Sequence, residues 1–262
     1  MSAPLPRPTP FWIALAIVAG LYLAFLLALI GATATYTSPH HLLAALNSPE
    51  IRYSIGLSLV TCTASSLLAL LLATPVGYLL SRGRFPGKPL LDAMLDIPIV
   101  LPPLVVGLCL LIFFQTGAGK LIERAIPFTY TIYGVVLAQF IIGAAFAVRT
   151  MRGVFDHLSA RPENVAMTLG CSRGQAVWLV TLPAARRGMF AAFSIAWARS
   201  LGEFGPILVF AGATRMKTEV LPTSVFIELS VGRLEAAIAV SLLMVALALV
   251  VLVAVRLAGE KL

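Results

Sequence analysis

Two ionisable residues stand inside an otherwise apolar run, Arg199 and Glu203 in Trp197-Ala198-Arg199-Ser200-Leu201-Gly202-Glu203-Phe204-Gly205. A charge at the centre of a hydrophobic span costs about 2.5–3.5 kcal/mol on insertion scales, so such residues need a partner or a task. Four positions apart on a helix, they share a face and can pair. The structural reading is an intrahelical ion pair that turns the helix inward, and it is the preferred one. The functional reading is an element of a pathway through the membrane. Gly205 and Pro206 follow at once. Glycine permits close helix approach and Pro206 removes a backbone hydrogen bond, so a gate-forming kink and ordinary packing both fit.

A second group of candidates lies in the polar segment 149–187. Pro162 followed by Glu163 suits the first turn of a helix, where proline is pre-set and an acid complements the dipole. Val165, Ala166 and Leu169 then make an apolar stripe, and Gly170 can stop the helix. A further short segment, 175–181, ends at Leu182-Pro183. A plain interfacial helix would show the same pattern.

Other chemistry is missing. Cys62, Cys109 and Cys171 are far apart, and His40, His41 and His157 do not cluster with carboxylates at ligand spacing, so neither a disulfide framework nor a metal site is expected. Gly117-Ala118-Gly119-Lys120 only imitates a phosphate loop: Phe114 and Leu121 occupy positions that need Gly and Ser/Thr. No catalytic constellation is present, since Asp92 and Asp96 have no histidine partner. The chain is expected to be no enzyme and to hold no cofactor.

The elements that must position these residues are membrane spans. The chain has 262 residues, 60% hydrophobic and 11% charged, with a mean hydropathy of +0.97. Soluble domains carry about a quarter charged residues, so here lipid has to be the solvent. Apolar runs at roughly 11–31, 54–80, 97–114, 132–148, 188–210 and 236–256 predict an all-α polytopic protein with about six spans. The first run is too long for the core of a cleavable signal. Residues 1–35 are thus expected to form an N-terminal transmembrane helix ahead of a core over 36–262. The segment 211–235 reads as an interfacial or partly re-entrant helix.

With the N-terminus inside, the inner segments hold twelve Lys and Arg and the outer segments six, and Arg199 completes the 19. That bias places both termini and the 149–187 loop in the cytoplasm. It also accounts for the formal charge of +8 without nucleic acid.

The loop resembles a family signature. Glu163-Asn164-Val165-Ala166, then Gly170, then Val180-Thr181-Leu182-Pro183 is similar to the "EAA" motif of type I ATP-binding-cassette (ABC) importer permeases. The match is good at Ala166, Gly170, Leu182 and Pro183. It departs at Asn164, where the motif has glutamate, because the acid stands one place earlier at Glu163. Asp96 to Gly107 and Trp197 to Gly205 resemble segments of the molybdate, tungstate and sulfate branch. The resemblance implies the type I permease fold and a coupling helix near 162–171 that docks on an ATPase subunit dimer. It implies a permease homodimer, an extracytoplasmic substrate-binding protein, and an oxyanion cargo, molybdate first. ATP would be bound only by the partner subunit. Glu163, Asn164, Val165, Ala166, Leu169, Gly170, Leu182 and Pro183 would serve docking; Arg199, Glu203, Gly205 and Pro206 would serve the pathway. The rival reading is a secondary transporter driven by an ion gradient, although no internal repeat is visible.

Overall fold

The computed structural model describes residues 9–260, so Arg7 and the proline-rich start lie outside the described residues, as does Lys261. Twelve α-helices follow the hydropathy pattern, and no strand occurs among the described residues. The long ones are α1 (Pro10–Thr35), α3 (Pro49–Arg82), α7 (Ile132–His157), α10 (Leu182–Leu201) and α12 (Leu234–Glu260). Between them stand α2 (Pro39–Asn47), α4 (Lys88–Val100), α5 (Pro103–Gln115), α6 (Gly117–Ala125), α8 (Arg161–Thr168), α9 (Arg173–Ala176) and α11 (Leu221–Ser230). Starts are marked as local chemistry demands: Ser48, Thr116 and Thr131 each accept a hydrogen bond from a first-turn amide.

Four of these helices, α1, α3, α7 and α12 (over Leu234–Val255), are long and apolar enough to cross a membrane. The 97–114 run is not one straight span: it breaks at Leu101-Pro102, and α4 and α5 meet at 109°. Pro102 and Pro103 have no amide hydrogen to continue the ladder, so the helix restarts instead of running through. The fifth run also departs from expectation. α10 begins at Leu182, ends at Leu201, and is followed by a π-helical turn at Ile207–Ala211. α10 has 20 residues but carries Arg186, Arg187 and Arg199, which make it less apolar than the other long helices. Counting the broken pair once gives up to five segments long and apolar enough to cross; the sixth apolar run is α10, packed among α3, α7 and α12, together with the π-helical turn beyond its break.

Helices α3, α7 and α10 form the centre. Leu80, Val148, Met151, Phe155, Ala185 and Ala192 build the core at the end where α3 finishes. Leu57, Phe114, Val135 and Phe210 fill the opposite end. Trp197 and Cys62 join α10 and α3 to Leu221 and Val240. Helix α1 buries no residue against the rest of the chain.

Asp92 and Asp96 on α4, which the sequence left unpartnered, meet α7. Asp92 accepts a hydrogen bond from Arg152, and Asp96 lies 3.6 Å from Arg149. One turn along α4 thus matches one turn along α7 in the antiparallel sense. The pairs hold α4 against the bundle just before the break.

Candidate functional site: a docking helix and two broken helices

Of the 149–187 segment, 149–157 complete α7 and 182–187 begin α10; the residues between them fold as α8, a turn and α9, at the end where α3 finishes. Pro162 sits in the first turn of α8, as its fixed φ favours. The C-terminus closes by a Schellman pattern: the Gly170 amide donates to Met167 O and the Cys171 amide to Ala166 O, both at 3.1 Å. Gly170 has φ +98°, which only glycine adopts freely. α9 then opens with a capping box between Ser172 and Gln175 and runs through a π-helical turn, Val177–Thr181, straight into α10. Leu182-Pro183 was expected to end that segment; it is instead the first turn of α10. Pro183 cannot donate to Leu179 O, and the widened π turn takes up the defect.

The polarity of α8 is inverted. Glu163 is buried, at 6% exposure, whereas Val165 and Leu169 are 56% and 81% exposed. Asn164 is also exposed and Ala166 half-buried. The Glu163 carboxylate accepts a hydrogen bond from the Tyr78 hydroxyl at 2.5 Å on one oxygen and from Thr181 Oγ1 at 3.0 Å on the other. Glutamate is therefore where the fold needs it, and Asn164, which breaks the motif, faces outward. Tyr78 sits at the last turns of α3 and Thr181 just before α10. One carboxylate ties α8 to two membrane helices. Leu182 packs into the adjoining core and Pro183 is exposed.

Sequence reasoning missed Tyr78 and Thr181, because neither has a local signal and Tyr78 is 85 positions from its partner. It also missed Trp178 and Leu179, 74% and 69% exposed on the π turn. Hydrogen bonds to a charged group contribute about 1.5–3 kcal/mol each. Tyr78→Phe and Thr181→Val are each expected to lower the melting temperature. The two losses should sum to more than that of Glu163→Gln, since both act through one carboxylate. Strict additivity of all three in a detergent melting series would exclude the shared tie.

The second group lies where two helices break. Ser200 near the end of α10 bonds Ser65, at the middle of α3, with 3.2 Å between the hydroxyl oxygens. The break after Leu201 is therefore at mid-depth in the bundle. Arg199 Nη1 lies 2.6 Å from Glu203 Oε1, so the expected pair forms. Its geometry differs from a pair on one continuous helix face, because Glu203 stands beyond the helix end. Glu203 is 1% exposed, and Oε1 has no aligned hydrogen bond. The Arg199 guanidinium also stacks 5.7 Å from the Phe146 ring centre.

Gly205 packs on the α4–α5 break: a Cβ there would stand 3.0 Å from the Leu104 amide nitrogen. Pro206 packs on Gly107, where a Cβ would meet its Cα at 2.8 Å. The two breaks thus face each other. Pro102, Pro103, Leu104, Arg199, Glu203 and Gly205 are among the residues lining a cavity of about 290 Å³.

At the opposite end of the bundle, α11 and the loop before it carry a charged network. Arg215 Nη2 donates to Glu228 Oε1 at 2.6 Å and Nη1 lies 3.7 Å from Glu219. Burial pushes the Glu219 carboxyl above its ordinary range, against the pull of the Ser224 hydrogen bond and Arg215. Among the described residues, no group of three His, Cys, Asp or Glu could hold a metal ion.

A bundle of membrane-crossing helices carries at one end a short helix with inverted polarity and at mid-depth two facing helix breaks. Residues 65–262 match the family model described as binding-protein-dependent transport system inner membrane component, and the chain belongs to that family. It is 34% identical over 246 residues to a probable molybdenum ABC transporter permease protein of Haloferax volcanii, covering 94% of this chain and 89% of that one. It is 32% identical over 214 residues to the sulfate transport system permease protein CysT of Escherichia coli, covering 80% and 77%. In fold it is similar to a chain of a bacterial ABC transporter that imports alginate, with TM-score 0.75, 17% identity and 96% coverage of both. The chain is thus a transport subunit of the inner-membrane type.

Proposed function

We propose that this chain is the permease subunit of an ABC importer that moves a tetrahedral oxyanion, molybdate first and tungstate or sulfate next, into the cytoplasm. The observation that carries the reading is the inverted α8. A short helix that buries its acid and displays Val165 and Leu169 to solvent wastes apolar surface unless a partner covers it. The partner is the dimer of a separate ATPase, which binds ATP; this chain contributes no cofactor site.

Glu163 links α8 through Thr181 to the start of α10. A 20-residue helix is about 30 Å long, and the far end of α10 carries Arg199. Movement of the docked helix is thereby delivered to the breaks, which is how one ATPase event would switch the pathway between inward-facing and outward-facing states. Asn164, Ala166, Leu169, Gly170, Leu182 and Pro183 complete the docking unit; Arg199, Glu203, Gly205 and Pro206 form the gate region. Two copies of the chain would enclose the pathway in the bilayer, with both termini cytoplasmic. The family's description as binding-protein-dependent supports an external binding protein. Molybdate is favoured because the molybdenum relative aligns over 94% of this chain and the sulfate relative over 80%.

The test is uptake of labelled molybdate, tungstate and sulfate into vesicles holding the permease, its ATPase and its binding protein. ATP-dependent molybdate uptake is expected. Uptake that survives ATP depletion and collapses with the proton gradient would assign a secondary transporter instead.

A further inference from the structure

Helix α4 is fastened to the bundle on one side only. It buries no residue; Leu91 and Leu95 lean on the core that α7 shares with α3, and α7 is the helix it meets most. Both of its ends are joints. It starts after Gly87, whose φ is +85°, and it ends at Leu101-Pro102, where no backbone hydrogen bond crosses to α5 among the described residues. Neither Pro102 nor Pro103 has an amide hydrogen to supply one. The backbone therefore does not compel α4, or the break it leads to, to follow the rest of the bundle.

The side chains do. Asp92 pairs with Arg152 and Asp96 with Arg149. Leucines hold two helices together without fixing their register, since apolar attraction has no direction. The ion pairs fix it. The helices are antiparallel, so a slide of one turn, about 5.4 Å, brings Asp92 opposite Asp156 in one direction and Lys88 opposite Arg152 in the other. Both are meetings of like charge, so the ladder is closed at both ends. The pairs are not placed to add much stability: Arg152 and Asp96 are 34% exposed and Arg149 is 66% exposed, and ion pairs that water reaches contribute little. The same turn of α7 receives the tie from α8. Glu163 bonds Tyr78, the Tyr78 ring meets Phe155 edge-on at 5.6 Å between ring centres, and a Cβ on the neighbouring Gly77 would stand 2.9 Å from the Arg152 amide nitrogen. Displacement of α8 thus arrives on α7 beside Arg152.

We infer that Asp92, Asp96, Arg149 and Arg152 are positioning residues for transport, a two-rung coupling that makes the α4–α5 break follow α7. The break after α10 is moved by α10 itself. The break facing it has no such lever, and the rungs supply one, so that the two breaks move together. Neutralising the rungs leaves α4 on its leucines, free to slip, and motion of the docked helix then reaches only one side of the gate. The inference rests on the ATP-driven permease reading above and adds how its motion crosses from α7 to the second break.

The experiment uses proteoliposomes holding the permease, its ATPase and its binding protein, with labelled molybdate uptake and ATP hydrolysis measured together. Arg149→Gln/Arg152→Gln is expected to keep hydrolysing ATP and to melt near the parent, while molybdate taken up per ATP falls at least fivefold. A covalent bridge between α4 and α7 should restore it. Leu95 and Val148 line one small cavity between the two helices, so Leu95→Cys/Val148→Cys is oxidised to a disulfide in a chain carrying Cys109→Ser and Cys171→Ser. The bridge should rescue the glutamine variant, reduction should undo the rescue, and the bridged parent should transport as before. A purely structural role predicts no rescue. Unchanged uptake per ATP in the glutamine variant overturns the coupling. So does a bridge that stops the parent, because α4 would then have to leave α7 during transport. Should the glutamine variant not assemble, the bridged parent decides, and a cysteine pair that forms no disulfide with or without ATP counts against α4 riding on α7 and overturns the inference as well. Failure of the permease reading itself shows separately, as absence of ATP-driven uptake by the parent.

Discussion

Arg199→Ala is expected to remove most of the folded protein from the membrane, whereas Glu203→Gln is expected to leave it folded. The asymmetry follows from burial. Glu203 is 1% exposed and has Arg199 as its only cation. Stripping the partner from a buried pair costs about 3–5 kcal/mol, against a total stability of about 5–15 kcal/mol for a typical protein. Arg199 is better placed to lose its partner. Its side chain is 32% exposed to the cavity, and its contact with Phe146 supplies a cation–π term of about 0.5–1 kcal/mol. The double variant Arg199→Ala/Glu203→Gln should recover much of the yield, because no uncompensated charge remains. Size-exclusion profiles and melting curves in detergent read this directly. Full yield from Arg199→Ala alone would mean that Glu203 is neutral or finds another partner. The two readings of this pair, a structural ion pair and a pathway element, are then not exclusive: an Arg199 that supports the fold by shielding Glu203 is compatible with the gate role proposed for both.

Gly170→Val should leave insertion and yield near normal while lowering ATP-coupled uptake at least tenfold. The reason is backbone, not crowding. No atom lies within 4 Å of a Cβ built at Gly170, but φ is +98°. Left-handed backbone costs an ordinary residue about 1–2 kcal/mol, and a β-branched one is a clear outlier there. The exposed end of α8 relaxes before the membrane core does, because it is closed only by local hydrogen bonds, among them those of the Gly170 and Cys171 amides. Loss of that closure swings Leu169 away from the place where the partner must find it. Gly170→Asn, which tolerates positive φ, should retain most activity. Co-purification of the ATPase measures docking and vesicle uptake measures coupling. Normal uptake by the valine variant would remove α8 from the coupling role.

Much of this site is local, and local features are legible. Pro162 and Gly170 bracket α8 because proline and glycine act within a turn of where they stand. Arg199 and Glu203 pair because four positions on one stretch of chain keep them close, even though the helix ends between them. Glu163 was legible as an acid in a first turn, but its partners were not. Tyr78 looks like any aromatic in an apolar run, and its hydroxyl is polar only in the sense that something must meet it.

The sequence by itself determined that the chain lives in lipid, that about six apolar segments run through it, that a polar, basic loop separates two of them, and where the short helix α8 starts and stops. Each of these is a sum over neighbouring residues: hydropathy along 20 positions, charge along a loop, φ at one glycine. The tertiary structure alone decided that Glu163 turns inward to Tyr78, that Arg149 and Arg152 hold Asp96 and Asp92, and that two proline- and glycine-marked breaks face each other at mid-depth. A proline states only that a helical hydrogen bond is missing. Which distant segment comes to rest against the gap is set by how whole helices pack, and packing joins residues 60 to more than 100 positions apart that no local pattern connects.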